Sequence, residues 1–239
     1  MKNFALVLLL LIFSNLSFAG LQISPIQLYL DEKMNQRSVT VVIESKDIKT
    51  EKIFEMSAVK WTQDENGIDQ YENVGDDLII NPKNFVILPG KKQIVRIGFT
   101  QPIRAMNLTD EQTYRITFKE VAPVVKASTM NFLFNISLPL FLGKQDNVNI
   151  KITTQYSNNH LSLNIKNNAL SHIQILKITI VDNHGKKVLE NNDMKYLLKG
   201  SNWVFNLGQI NLSDLKRYKA IIETDKMKNG IPLEYQLGG

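Results

Sequence analysis

The sequence predicts an all-β protein built from two successive β-sandwich domains. Short β-branched and aromatic runs recur, separated by turn signals about every 8–12 residues, and apolar residues show little helical period. A polar break at Gly143-Lys144-Gln145-Asp146-Asn147 divides these runs into two series. The expected domains are therefore 20–143 and 144–239.

In the first series, residues 38–44 (SVTVVIE) form a β-branched run between polar stretches. Residues 52–61 follow, closed by the turn-rich Gln63-Asp64-Glu65-Asn66-Gly67. The run 78–80 stops at Asn81-Pro82, and 85–88 meets Pro89-Gly90, where proline presets φ and glycine permits the turn. Runs 93–99 and 114–121 precede 130–142, the longest apolar β-run. The second series comprises 148–154, 161–167, 174–182, 187–189, 203–207 and 218–224. Asn158-Asn159 and Asn183-His184-Gly185 supply hairpin-type turns.

Residues 1–19 read as a secretory signal peptide. Lys2 is the positive n-region, 4–13 are apolar throughout, and Ser17-Phe18-Ala19 gives a small-residue cleavage site. The apolar run is short for a membrane span of about 20 residues, so cleavage after Ala19 and export are expected, with no membrane insertion. The absence of cysteine excludes disulfides, Cys-ligated metal and thiol catalysis. Export without cysteine points to a bacterial envelope, that is, the periplasm. The chain carries 28 basic and 23 acidic residues, a net charge of +5. In an exported protein this mild excess is a poor argument for a nucleic-acid partner. The basic residues are also not interleaved with aromatics as a single-strand platform requires.

Catalytic signatures are missing: no Gly-x-Ser-x-Gly, His-Glu-x-x-His, Walker lysine loop or dinucleotide fingerprint occurs. His160, His172 and His184 are evenly spaced, but each lies in or beside a turn and reads as an exposed loop histidine rather than a metal ligand. Asp64/Glu65 and Asp76/Asp77, flanked by Asn and Gly, read as solvated turns. No enzyme activity, metal or cofactor is expected.

The run 130–138 stands apart. Strand alternation puts Met130, Phe132, Phe134, Ile136 and Leu138 on one face and Asn131, Leu133, Asn135 and Ser137 on the other. By itself this describes an amphipathic sandwich strand. Its neighbours add a further meaning. Leu88-Pro89-Gly90-x-x-Gln93-x-Val95-Arg96-Ile97, then Tyr114-Arg115-Ile116-x-Phe118-Lys119-Glu120-Val121-Ala122-Pro123, precede the alternating strand and its ending Ile136-Ser137-Leu138-Pro139-Leu140-Phe141. Together with Leu21-Gln22-Ile23-Ser24-Pro25 at the start, the chain resembles the periplasmic chaperones of chaperone–usher pilus assembly, over nearly its whole length.

The resemblance implies two immunoglobulin-like domains set at an angle, in an L-shape, with a binding cleft between them. It implies that Met130, Phe132, Phe134 and Ile136 are donated to the open core of a pilus or fimbrial subunit, which the chaperone then delivers to an outer-membrane usher. The interdomain salt-bridge network of the family maps in part: Glu111 and Asp225 match its acids. Its arginine falls on Gly143, leaving Lys144 or Arg96 to supply the cation. The basic residues that hold the subunit's terminal carboxylate in well-studied members fall near Gln27 and on Pro139. The Leu138-Pro139-Leu140-Phe141 ending and Ser24-Pro25 look more like divergent, archaic-type members of the family. In that case another cation, with Arg115, Lys119 and Lys144 as candidates, or backbone donors would hold the carboxylate. Whether the unloaded form self-associates to cover its donor strand stays open.

The rival reading is a structural or adhesive surface protein built from sandwich domains. The final Tyr235-Gln236-Leu237-Gly238-Gly239 has the tyrosine of a pilin ending. A first strand starting almost at the expected cleavage site, however, leaves no donor extension.

Overall fold

The alternation seen in the sequence becomes two sandwiches because each strand buries one face. The structure, a computed structural model, describes residues 20–31, 36–46, 48–75, 77–122 and 132–238. The expected signal peptide, Met130 and Asp76 lie outside the described residues.

In the first sandwich, β1 (Leu21–Ser24), β3 (Ser38–Ser45), β8 (Lys92–Phe99) and β6 (Leu78–Asn81) form one sheet, in that order. The other sheet runs β2 (Leu28–Leu30), β10 (Asn135–Leu142), β9 (Gln112–Glu120), β4 (Lys52–Gln63) and β5 (Asp69–Asn73), with β7 (Asn84–Ile87) also paired to β4. Val41 and Ile43, Phe54 and Met56, Val95 and Ile97, Ile116 and Phe118, and Leu138, Leu140 and Leu142 meet between the sheets. Each such side chain contributes roughly 1.5–3 kcal/mol when fully withdrawn from water.

The second sandwich pairs the sheet β11 (Ile150–Ser157), β12 (His160–Asn167) and β16 (Asn202–Gln209) with β14 (Lys187–Asn191), β13 (Ile173–Asp182), β17 (Tyr218–Thr224) and β18 (Leu233–Gln236). A short β15 (Lys195–Leu197) pairs with β13. Its core is led by Leu161, Leu163 and Ile165 against Ile175, Ile178, Ile180, Phe205 and Ile222. The short strands β2, β5, β15 and β18 leave little trace in the sequence, since three to five residues bounded by polar neighbours carry too little pattern.

One buried polar residue organises the second sandwich. The Asn167 amide donates to the carbonyls of Ser171 (2.8 Å) and Leu197 (2.9 Å), and its Oδ1 accepts from the Ala169 amide at 3.0 Å. These bonds close the turn after β12 onto β15. Buried polar groups left without partners are costly, so Asn167→Ala should lower stability by about 2–3 kcal/mol in urea unfolding. An unchanged midpoint would contradict this role.

The junction between the sandwiches is dense. Trp61, Phe141 and Leu198 are buried there with Tyr196 against them. Gln63 donates to the Tyr196 carbonyl at 3.0 Å and accepts from the Leu198 amide at 2.8 Å. The β4–β5 turn also reaches across. At Gly67 (φ 70°), a Cβ would stand 2.5 Å from the Asn202 carbonyl oxygen, so the approach requires glycine.

Candidate functional site: a free strand edge beside an interdomain cleft

The apolar face of the 130–142 run divides into two parts. The strand begins at Asn135 rather than at 130. Leu138, Leu140 and Leu142 are committed to the chain's own core, and Ile136 is half-buried against it. Phe132 and Phe134 run past the end of that core, 85% and 37% exposed. Of the expected donor residues, then, these two are uncovered, Ile136 is partly engaged and Met130 lies outside the described residues.

The backbone there is also unpaired along one edge. β9 pairs with β10 from Asn135 to Leu142, but on the opposite side β2 pairs only with Leu140–Leu142, in parallel. Residues 135–139 therefore present a free edge among the described residues. Such an edge is a template for another strand.

Glu120 fixes where this segment joins the sheet, a role the sequence reading gave to no residue. Its side chain is nearly inaccessible and pairs with the Lys52 ammonium at 2.7 Å. Its carboxylate accepts the Phe134 amide at 3.0 Å, while its own amide donates to the Phe134 carbonyl at 2.8 Å. Phe134 is thus held at the sheet by main-chain contacts while part of its side chain stays exposed.

The basic residues fall into different environments. Arg115 and Lys119 point from the same face of β9, opposite Pro139 and Asn135. The Arg115 guanidinium lies 3.7 Å over the Trp61 ring and 5.7 Å from the Tyr196 ring. It makes no hydrogen bond within the described residues, and its Nε is buried and unpartnered. Burial lowers its pKa, with Tyr71 and Asp69 opposing the change. A guanidinium stacked on an aromatic face keeps its in-plane donors available for a planar acceptor. Lys119 and Lys144 are exposed and form no ion pair among the described residues. Gln27 is occupied across the junction, donating to Gln174 at 3.1 Å and the Tyr196 hydroxyl at 2.6 Å.

The acids Glu111 and Asp225 come together, but around neither Lys144 nor Arg96. Arg96 is exposed on β8, in the sheet that does not face the junction. Instead His172 stands between them, which corrects its reading as an exposed loop histidine: the residue is 1% exposed. Glu111 Oε1 accepts its amide and its Nδ1, both at 2.8 Å, and Asp225 Oδ2 lies 3.2 Å from Nε2. The ring stacks on Phe141, with centroids 3.5 Å apart and planes at 8°. Gln145 also donates to Glu111. Gly143 adopts φ 109°, a backbone that strains any larger residue, so an arginine there would be disfavoured. His160 and His184 are exposed. The only local hint for His172 was its place at the threshold of an apolar strand.

Nearby, Lys226 donates to Ser171 Oγ at 2.7 Å, and Lys199 pairs with Asp110 at 2.6 Å. The Lys199 hydrogen bond lowers the Asp110 pKa, while burial lowers that of Lys226. Among the described residues no cluster of side chains fits a metal ion, and no helix is long and apolar enough to cross a membrane.

Two packed sandwiches and, beside their junction, a free-edged strand with exposed Phe132 define a two-domain β-sandwich of the chaperone type. Residues 20–143 match the family described as "Pili and flagellar-assembly chaperone, PapD N-terminal domain", and the chain belongs to that family. It is a pilus-assembly chaperone, of a family that acts without enzymatic chemistry.

Solved structures agree in fold. A chain of the CsuC–CsuE chaperone–tip adhesion subunit pre-assembly complex, from archaic Csu pili of Acinetobacter baumannii, superposes with a TM-score of 0.62 at 19% identity. The match covers 90% of this chain and 98% of that one. A chain of the Salmonella enterica SafA pilin–SafB chaperone complex gives 0.58 at 13% identity, covering 93% and 99%. The E. coli chaperone DraB gives 0.55 at 15% identity, covering 91% and 96%. No curated protein matches the sequence significantly. None of these findings supports the surface-protein alternative.

Proposed function

We propose that this chaperone captures pilus or fimbrial subunits in the periplasm along the free edge of β10 and passes them to an outer-membrane usher. The observation that carries this reading is the coincidence of an unpaired edge at 135–139 with uncovered Phe132 and Phe134. An added subunit strand gains main-chain hydrogen bonds, and the phenylalanines fill a groove in its incomplete core. Met130 extends the same alternation, while Ile136, half-buried at home, contributes less. In this reading 20–143 is the donor domain and 144–239 supplies the far wall of the cleft. Co-purification of a pilin-like subunit with the mature protein from a periplasmic extract tests it; recovery of the protein in shed fibres instead would contradict it.

Arg115 is the residue we assign to the subunit's terminal carboxylate. Unlike exposed Lys119 and Lys144, it is oriented by stacking on Trp61 while its hydrogen-bond donors remain unclaimed. A charge-assisted hydrogen bond is worth about 1.5–3 kcal/mol. Arg115→Ala should therefore weaken subunit binding roughly 10- to 100-fold in titration calorimetry. The same loss should follow from amidating the subunit's C-terminus, and the two changes together should cost no more than either alone. Additive losses would assign the carboxylate to another group.

A further inference from the structure

We propose that the outer face of the sheet beside the free edge selects the outward residues of a subunit's last strand. It takes an apolar residue level with Leu133 and polar residues further along. This rests on the capture along β10 and the carboxylate at Arg115 proposed above, and adds what the strand must carry on its other face.

Strand register sorts this face into rows. Val86 on β7 pairs with Ile53 on β4. The Val121 amide donates to the Ile53 carbonyl at 2.9 Å, and the Glu120 amide to that of Phe134 at 2.8 Å, so Leu133 falls level with Val121. All four side chains alternate with core-facing neighbours and point outward, 43–48% exposed. Val86, Ile53, Val121 and Leu133 thus form one apolar row that ends on the free-edged segment. Two residues on, the next row is Glu55, Lys119 and Asn135, followed by Ser57, Thr117 and Ser137, then Val59, Arg115 and Pro139. From Leu133 to Pro139 the face turns from apolar to charged, to hydroxyl-bearing, to cationic, over roughly 20 Å.

A strand added beside β10 lays its residues level with these rows, and side chains level with one another point the same way. With its carboxylate at Arg115, its last residue lies level with Pro139. The residues six, four and two places earlier then lie level with Leu133, Asn135 and Ser137. Beside Leu133 an apolar side chain covers apolar surface that water otherwise meets, whereas a polar one finds no partner. Beside Ser137 the order is reversed, since a hydroxyl meets hydroxyls and an apolar group gains no apolar neighbour. The row ends where a new strand would begin, which is why a strand is the occupant. A second copy of this chain packed face to face would bury four side chains here, far short of the roughly 20–30 residues a side of a stable pair.

Two isomeric octapeptides, each with a free C-terminal carboxylate and an N-terminal fluorophore, test this on the mature protein. Both carry valine at the four inward places and threonine at the last residue and four places before it. One has valine six places before the last residue and serine two places before it; the other exchanges the two. Equal composition removes any general preference for apolar peptides. Fluorescence anisotropy should show the first isomer binding about 3- to 10-fold more tightly. In Leu133→Ser plus Ser137→Leu the order should reverse, and both positions are exposed, so the core is untouched. Should that variant misfold, Leu133→Ser alone must shrink the preference. Ile53→Asp, two strands from the incoming residue, should keep it. Equal binding of the isomers by the wild type, or the wild-type order kept in the exchanged variant, would overturn the inference and leave capture along β10 standing. Binding of neither isomer would overturn capture itself, and the inference with it. A dimer seen by sedimentation of the peptide-free protein and dispersed by Val86→Ser would give the row to a second copy, which also overturns it.

Discussion

Replacing Phe132 and Phe134 together with aspartate should abolish subunit capture while leaving the chaperone folded. Both side chains lie beyond the core of their own domain, and Phe132 is 85% exposed. Phe134, 37% exposed, is tied to Glu120 through its main chain, which the substitution leaves in place. In the complex each would bury a large apolar surface, worth about 1.5–3 kcal/mol. Losing two gives roughly 3–6 kcal/mol, a weakening of about 100- to 10,000-fold, before counting the carboxylates forced into an apolar groove. Pull-down of the subunit with the tagged variant measures the effect, with circular dichroism and urea unfolding confirming the fold. Retained capture by a folded variant would remove the donated strand from the mechanism. A paired control, Ile53→Asp plus Ile94→Asp, also replaces exposed apolar residues, at 44% and 57% exposure, away from the free edge. It should leave capture intact.

Glu111→Ala should be among the most destabilising single changes at the junction. Glu111 accepts the His172 amide and ring at 2.8 Å each and a bond from Gln145, and it is 7% exposed. Truncation leaves three donors without an acceptor in a site that water hardly reaches. Each buried donor left unsatisfied costs about 1–3 kcal/mol, so the total is several kcal/mol. Neighbouring Asp110 offers the contrast. Its pair with Lys199 also spans the domains, but the lysine is 48% exposed, and Asp110→Ala should cost less than about 1 kcal/mol. Urea unfolding of the two variants makes the comparison. Equal costs would mean that the buried cluster contributes no more than a surface pair.

The fold was readable because alternation, turn residues and the break after Leu142 all agree. The first-sandwich core falls on the inward positions of runs that were visible as β-branched or aromatic. The site was readable only in part. Phe132 and Phe134 could be singled out by their place in an alternating run, but not Ile136's engagement at home, which depends on where the opposite sheet ends. His172 was misread because local sequence reports a turn, whereas burial there comes from the other domain closing over it. Glu120 and Trp61 went unassigned for the same reason: their roles arise from partners distant in sequence, Lys52 for one and Arg115 for the other. Arg115 stood out from Lys119 and Lys144 only once the Trp61 ring was seen beneath it.

The short parallel pairing of β2 with β10 also acts as a ruler. Because β2 occupies the edge from Leu140 onward, an incoming strand has, among the described residues, the stretch from 132 to 139 to lie along. Eight residues at about 3.3 Å each allow roughly 26 Å. Pro139, where that stretch ends, sits opposite Arg115 in the register of β9. A subunit strand whose terminal carboxylate meets Arg115 must therefore run parallel to β10 and finish where β2 begins. Chain ends of different subunits would be brought to one common finishing line, whatever precedes them, and a subunit with residues added past that point would collide with β2.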